Sequence, residues 1–207
     1  MLTFNEREIA NIIVEALVEY GLKDHLKEWG DSNIYEWVTD CELRAHGFWA
    51  ESGATKICFG HTDLEGWVVK VSHINSKYDY ARMEYSNYRL ACDAGLAYYF
   101  PETFYLGEFD GCRFYLQQEV ECDEDQVTSD WYESLRDSYD EDDEEYDVDR
   151  LWSEIDNLDD DEKAFLMFHN GELGHFLCEN RINDLHEGNF GYINGRCVII
   201  DFSGYMG

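Results

Sequence analysis

The segment from Glu121 to Glu162 holds 21 acidic and two basic residues, a charge density that dominates how the chain can pack. Its centre, Asp140-Glu-Asp-Asp-Glu-Glu145, has no apolar side chain and belongs in water. The flanks differ from the centre. Trp131, Tyr132, Leu135 and Tyr139, then Leu151, Trp152, Ile155 and Leu158, recur at helical spacing, which predicts two amphipathic helices over 127–139 and 147–158 around an acidic turn.

The tract supplies a net −19 of the chain's −31. Such a charge opposes binding to nucleic-acid phosphates or to anionic membrane surfaces, both of which call for a basic face. It favours a basic protein partner, or imitation of nucleic acid; a solvated insertion with no specific task is the competing reading. Outside the tract the balance is ordinary, and 44% hydrophobic residues over 207 positions suffice for a substantial core. No apolar run approaches the roughly 18–20 residues that span a bilayer. The start, Met1-Leu-Thr-Phe-Asn-Glu-Arg-Glu, lacks the basic and apolar regions of a signal peptide. Seven scattered cysteines without a CxxC pair read as reduced thiols, so the expected location is cytoplasmic.

Periodicity sets out the elements. Thr3 or Asn5 can cap a first helix whose stripe reads Ile9, Ile12, Ile13, Ala16, Leu17 and Tyr20, stopped by Gly21. A second helix is expected over Leu22–Trp29, and a short one through Ile34, Trp37, Val38 and Cys41. From Phe48 the pattern turns to period two: Lys56–Phe59 and Gly66–Val71 read as a hairpin. Residues 78–95 read as a helix, Thr103–Leu106 and Arg113–Glu119 as two strands, and 161–180 as a long helix. Asn194-Gly195 marks a tight turn between Phe190–Ile193 and Arg196–Asp201.

Chemistry concentrates at that last hairpin. Asp184 is followed five residues later by Asn189 and, at the end of an apolar strand, by Asp201. Phosphoryl transfer needs a carboxylate to orient the acceptor hydroxyl and oxygen ligands for Mg²⁺ beside the nucleotide phosphates. Asp184-Leu-His186-Glu-Gly-Asn189 resembles the D-L-x-x-x-N catalytic loop of the protein-kinase-like superfamily, and Asp201-Phe-Ser resembles its D-F-G. Trp67-Val-Val-Lys70 is similar to V-A-I-K, which the family carries on its third strand. Glu84, fourteen residues on, matches the helix glutamate that pairs with that lysine. Leu116-Gln-Gln-Glu119-Val120 falls at the hinge.

The resemblance implies an α+β, reduced two-lobed protein-kinase-like fold with an antiparallel N-lobe sheet, N-terminal helices and an acidic insertion. Its expected parts are a helical extension over 1–46, an N-lobe and hinge over 47–120, the insertion over 121–162, and a truncated C-lobe over 163–207. It further implies Mg²⁺ and ATP as cofactors, with Asp184, His186 and Lys70 catalytic. Gly53, Lys70, Glu84, Glu119 and Val120 are then cofactor-binding, and Asn189 and Asp201 hold the metal. Protein Ser/Thr kinase activity on a basic or host protein, met through 121–162, is the implied function. In brevity the chain resembles kinases carried by tailed phages and the short effector kinases of enteric pathogens.

The departures shape the alternatives. The glycine-rich loop is reduced to Glu51-Ser-Gly53-Ala-Thr-Lys56, the His-Arg before Asp184 is Ile182-Asn183, and Ser203 stands where the D-F-G glycine belongs. Only six residues follow Asp201, without A-P-E. These favour a pseudokinase-type acidic protein that sequesters a basic partner. His186 instead resembles the D-x-H-x-x-N loop of aminoglycoside and choline kinases, and suggests a small-molecule phosphotransferase. Taken singly, Lys70 also reads as an exposed strand lysine, Glu84 as a residue on the wet face of its helix, and Asn189 and Asp201 as turn and strand-end formers.

Overall fold

The computed structural model describes residues 3–29, 33–53, 55–121, 172–177, 179–182 and 189–204. The helices expected over 127–139 and 147–158 lie outside these residues. Of the helix expected over 161–180, residues 172–177, 179 and 180 are described; 172–177 and 179 are helical and Asn180 is in a turn.

The chain is α+β. Helices α1 (Phe4–Glu19), α2 (Leu22–Trp29) and α3 (Ile34–Asp40) precede strands β1 (Phe48–Ser52), β2 (Lys56–His61) and β3 (Trp67–Ser72). Helix α4 (Tyr80–Ala94) follows, then β4 (Thr103–Phe109), β5 (Cys112–Gln118), and a separate hairpin of β6 (Phe190–Ile193) and β7 (Arg196–Ile199). The first five strands form one antiparallel sheet in the order β1-β2-β3-β5-β4. By contacts the chain divides into a unit of Met1–Tyr88 with Pro101–Glu119 and a unit of Arg89–Phe100 with Val120–Gly207.

In the first unit both faces of the sheet are covered, which is why β3 is buried at five consecutive positions instead of alternating. One face is apolar: Ile57, Phe59, Trp67, Val69, Val71, Phe114 and Leu116 share a core with α1, α2 and α3. The first helix begins with a capping box, in which the Thr3 hydroxyl accepts from the Glu6 N–H and the Glu6 carboxylate accepts from the Thr3 N–H. The other Glu6 oxygen accepts from the Trp67 indole at 3.2 Å, tying α1 to β3. Lys23 of α2 reaches Asp110 in the β4–β5 turn at 2.8 Å.

The stripe of α1 differs from expectation. Ala10, Ile13, Val14 and Leu17 face the sheet, while Ile12 is 59% and Tyr20 42% exposed. Positions 10, 13, 14 and 17 form one face, and Ile12 stands about 200° round the helix from Ala10. Apolar residues on both sides of the helix made its orientation ambiguous, and the tighter stripe won.

The opposite face of the sheet is where polarity enters. Lys56, Lys70, Tyr115 and Gln117 are all buried there. Tyr115 packs its ring 5.8 Å from Tyr85 of α4, and burial pushes its hydroxyl pKa up. The buried stripe of α4 runs Tyr80, Ala81, Glu84, Asn87, Tyr88 and Ala91, so two polar residues interrupt an otherwise apolar face.

The second unit has its own apolar centre. Phe100 lies 5.7 Å from Phe176 and 4.9 Å from Phe202, ring to ring, with Leu173, Leu177, Phe190, Val198 and Ile199 buried around them. The β6–β7 turn is Asn194-Gly195, both with positive φ (54° and 76°), as a two-residue hairpin turn requires.

Candidate functional site

Lys70 sits on the third strand of the sheet, in the run Trp67-Val-Val-Lys-Val71, and only 8% of it is exposed. It is not the exposed strand lysine of the plainer reading. Its Nζ lies 3.2 Å from Glu84 Oε2. Glu84 is wholly buried and not on a wet helix face. A buried charge persists only when paired and hydrogen-bonded, and Glu84 is served from three sides. Lys56 of β2 approaches Oε1 at 3.3 Å as an ion pair that leaves this oxygen without a hydrogen bond, and Gln117 of β5 donates to Oε2 at 3.3 Å while also donating to the Thr103 hydroxyl at 3.0 Å.

Strand pairing explains the convergence. Cys58 is the cross-strand partner of Lys70, and Lys56, two residues earlier, therefore shares its face. Burial pushes the Cys58 thiol up, against a smaller opposing pull from Lys70.

The position of α4 is fixed at its amino end. Asp79 accepts from the Arg82 N–H at 3.0 Å and from the Ser72 hydroxyl at 2.7 Å, and Ser72 in turn accepts from the Ala81 N–H at 2.9 Å. Arg113 of β5 closes the arrangement, reaching Asp79 at 3.2 Å and Glu108 at 3.1 Å. Asp79, the other acidic residue near Glu84, is thus committed to capping. A cavity of about 310 Å³ opens beside this cap, lined by Ser72, Lys77, Asp79 and Arg113 among others, and takes in neither Lys70 nor Glu84.

Gly53 lies in the β1–β2 turn, donating its N–H to Lys56 O at 2.9 Å. A side chain there would meet only that carbonyl, at 3.7 Å, so the local backbone does not demand glycine. Glu51, just before it, is exposed. At the expected hinge, Glu119 is exposed and Val120 half-buried, and the boundary between the two units falls between them. The Glu119 N–H is given to Gly66 O at 2.9 Å, and the Glu121 N–H to Tyr192 O at 3.0 Å.

In the second unit, Asn189 and Asp201 stand at the open end of the β6–β7 hairpin, joined through the Ile200 N–H, which donates to Asn189 O at 2.8 Å. Asp201 adopts a left-handed backbone (φ 52°), tolerated by Asp better than by most residues, and its Oδ1 accepts from the Ser203 hydroxyl at 3.0 Å. Phe202 is fully buried against Phe100 and anchors this segment. Gly204 has φ 77°, and a Cβ there would fall 2.3 Å from Arg181 O, so glycine is required where this segment passes the chain leading toward Asp184. An amide oxygen and a carboxylate are hard donors of the kind Mg²⁺ accepts, and the two residues fit such an ion completed by water and phosphate. No group of three or more potential metal ligands occurs among the described residues. Asp184 and His186 lie outside the described residues.

Lys56, Gln117 and Gly204 were not singled out from the sequence. The parity of Lys56 with Cys58 was the available signal for the first, once the pairing of β2 with β3 is known.

No protein-family model matches the sequence, and a search of curated proteins finds no relative. Among solved structures the chain is similar to APH(2")-IIa in a ternary complex with streptomycin and ATP, with 19% identity and a TM-score of 0.37, over 84% of this chain and 70% of that one. No helix among the described residues is long and apolar enough to cross a membrane.

Proposed function

We propose that the chain is a Mg²⁺-ATP-dependent phosphotransferase of the protein-kinase-like kind, acting on Ser or Thr of a basic protein. The observation that supports it best is the buried contact of Lys70, on the third strand, with Glu84, on the helix that follows that strand. A pure scaffold has little use for such an arrangement, since burying a charged pair is costly unless geometry repays it. On this reading Lys70 holds the α- and β-phosphates and Glu84 fixes the lysine. Asp184 orients the acceptor hydroxyl, and His186 steadies the γ-phosphate. Asn189 and Asp201 hold Mg²⁺, which when bound offsets the phosphate charge. Adenine meets the chain near Glu119 and Val120. The acceptor is basic because 121–162 is so acidic.

Heating the full chain with ATP, with and without Mg²⁺, tests the reading. Ligand at about 100 times Kd adds about 2.7 kcal/mol of apparent stability. A chain that gains nothing from Mg²⁺-ATP, and transfers no labelled phosphate to itself or to a basic protein, is not a kinase.

A second reading, an acidic binding protein without catalysis, draws on the exposed carboxylate of Glu51 near the end of β1, in a segment with one glycine. Deleting 137–149 separates the two. Partner binding lost while phosphotransfer survives assigns the interaction to the acidic tract. A fall in that binding with salt agrees, because screening limits such attraction to about 8 Å at physiological ionic strength.

A further inference from the structure

We propose that Lys56 is a second phosphate-contacting lysine, sharing Glu84 with Lys70, so that the site grips a polyphosphate chain with two ammonium groups. This deepens the phosphotransferase reading and rests on it.

The geometry that carries the inference is the division of one carboxylate. Glu84 presents Oε2 to Lys70 at 3.2 Å and Oε1 to Lys56 at 3.3 Å. The lysines come from neighbouring strands and the same sheet face, and each keeps a small exposed remainder, 6% for Lys56 and 8% for Lys70. Two like charges drawn onto one carboxylate repel each other at low effective dielectric, and an anion set beside both relieves that repulsion. Phosphate, with several acceptor oxygens, suits two ammonium groups better than a single carboxylate does.

The place of Lys56 in the chain strengthens the case. It opens β2 directly after the β1–β2 turn, and its carbonyl accepts the Gly53 N–H at 2.9 Å. Glycine-rich turns hold phosphates with backbone N–H groups that approach closely because no side chain intervenes. The sequence before Lys56, Glu51-Ser-Gly53-Ala-Thr55, has one glycine and an acidic residue. A lysine directly after it adds positive charge where glycines are few.

Titration calorimetry on the full chain, with ATP, adenosine and inorganic tripolyphosphate as probes, tests the inference on wild type, Lys56→Met and Lys56→Arg. Expected is a loss of roughly tenfold or more for ATP and tripolyphosphate in Lys56→Met, the scale of a charge-assisted contact. Adenosine affinity should stay unchanged, and Lys56→Arg should recover most of the loss. Equal losses for adenosine and ATP would show that Lys56 merely supports the fold, and wild-type ATP affinity in Lys56→Met would overturn the inference outright. Should Lys56→Met not fold, wild type treated with an acyl-phosphate derivative of ATP decides the matter. Lysine nitrogen attacks the acyl carbon, an amide forms and ATP leaves, so modification of Lys70 alone overturns the inference and modification of both lysines upholds it. A wild type that holds tripolyphosphate through Lys56 but binds no ATP would instead sink the kinase reading and leave the lysine pair standing.

Discussion

Lys70 and Glu84 meet at 3.2 Å on a carboxylate with no exposed surface, and the same carboxylate also holds Lys56. The three residues therefore differ in what their removal leaves behind. Glu84→Gln takes the charge from between two buried ammonium groups, and breaking a buried pair from one side costs about 3–5 kcal/mol. Lys70→Met leaves Glu84 still served by Lys56 and Gln117. Urea unfolding should rank Glu84→Gln as clearly more destabilising than Lys70→Met, while nucleotide binding should suffer in both. Equal stabilities would mean that the cluster is wetter than its burial indicates.

The amino end of α4 should govern that cluster from a distance. Asp79 caps the helix and Arg113 holds Asp79, one turn and a residue before Glu84. Asp79→Ala should cost about 1 kcal/mol, the usual loss for a cap. ATP affinity should fall beyond what that loss explains, because α4 then sets Glu84 less firmly. Asp79→Asn retains a capping oxygen and should restore both. An unchanged affinity in Asp79→Ala would show that α4 is held by its buried stripe alone.

Much of this arrangement could be read from the amino acids. A lysine inside the continuous apolar run Trp67–Val71 has no ordinary reason to be there, and Ala81, Tyr88 and Ala91 place Glu84 on the buried phase of its helix. What stayed hidden depends on pairing between distant segments. Lys56 looks like an ordinary wet strand end until the β2–β3 register sets it on the face of Lys70. Gln117 acquires its role only when β5 lies beside β3. The orientation of α1 was ambiguous because Ile12, Ile9, Ile13, Ala10 and Val14 together place apolar side chains across about 200° of its circumference. Gly204 is demanded by the carbonyl of Arg181, 23 positions earlier, which no local pattern reveals.

The docking of α1 should weaken in acid. Hydrogen bonds from the Thr3 backbone, then from its hydroxyl, hold the Glu6 carboxyl below its usual range. A carboxyl whose folded pKa is depressed adds stability above its unfolded pKa and loses it as pH falls through the folded one. The stability difference between wild type and Glu6→Gln should therefore be full near neutrality and vanish at the acid end. Denaturant midpoints of both proteins across that range, compared pairwise to cancel the other carboxylates, give the measurement. A constant difference would assign the role of Glu6 to packing against Trp67.

Phe202 and Gly204, which follow the proposed metal ligand Asp201, should fail differently. Phe202→Ala empties a fully buried position beside Phe100, for about 3–5 kcal/mol, and Phe202→Leu should recover much of that. Gly204→Ala sets a methyl against the Arg181 carbonyl in a left-handed backbone, so the backbone itself must move. It should impair Mg²⁺-dependent nucleotide binding more than its cost in stability would suggest. Calorimetry of ATP binding with and without Mg²⁺ distinguishes the two variants.

Asp184 and Asp201 carry the sharpest division of labour in the proposed reaction. A carboxylate that orients the acceptor hydroxyl acts only when the acceptor is present, so Asp184→Ala should abolish phosphotransfer and leave ATP affinity near wild type. Asp201 is assigned to the metal, joined through Ile200 to Asn189, and Asp201→Ala should lose the Mg²⁺-dependent part of ATP binding along with transfer. Without Mg²⁺, Asp201→Ala and wild type should bind ATP alike, because the residue then has no ion to hold. Binding titrations in both conditions, beside a transfer assay with labelled ATP, test all three statements. If Asp184→Ala still transfers phosphate at the wild-type rate, the acceptor hydroxyl is oriented by another group, and the assignment of 184–189 as the catalytic loop fails with it.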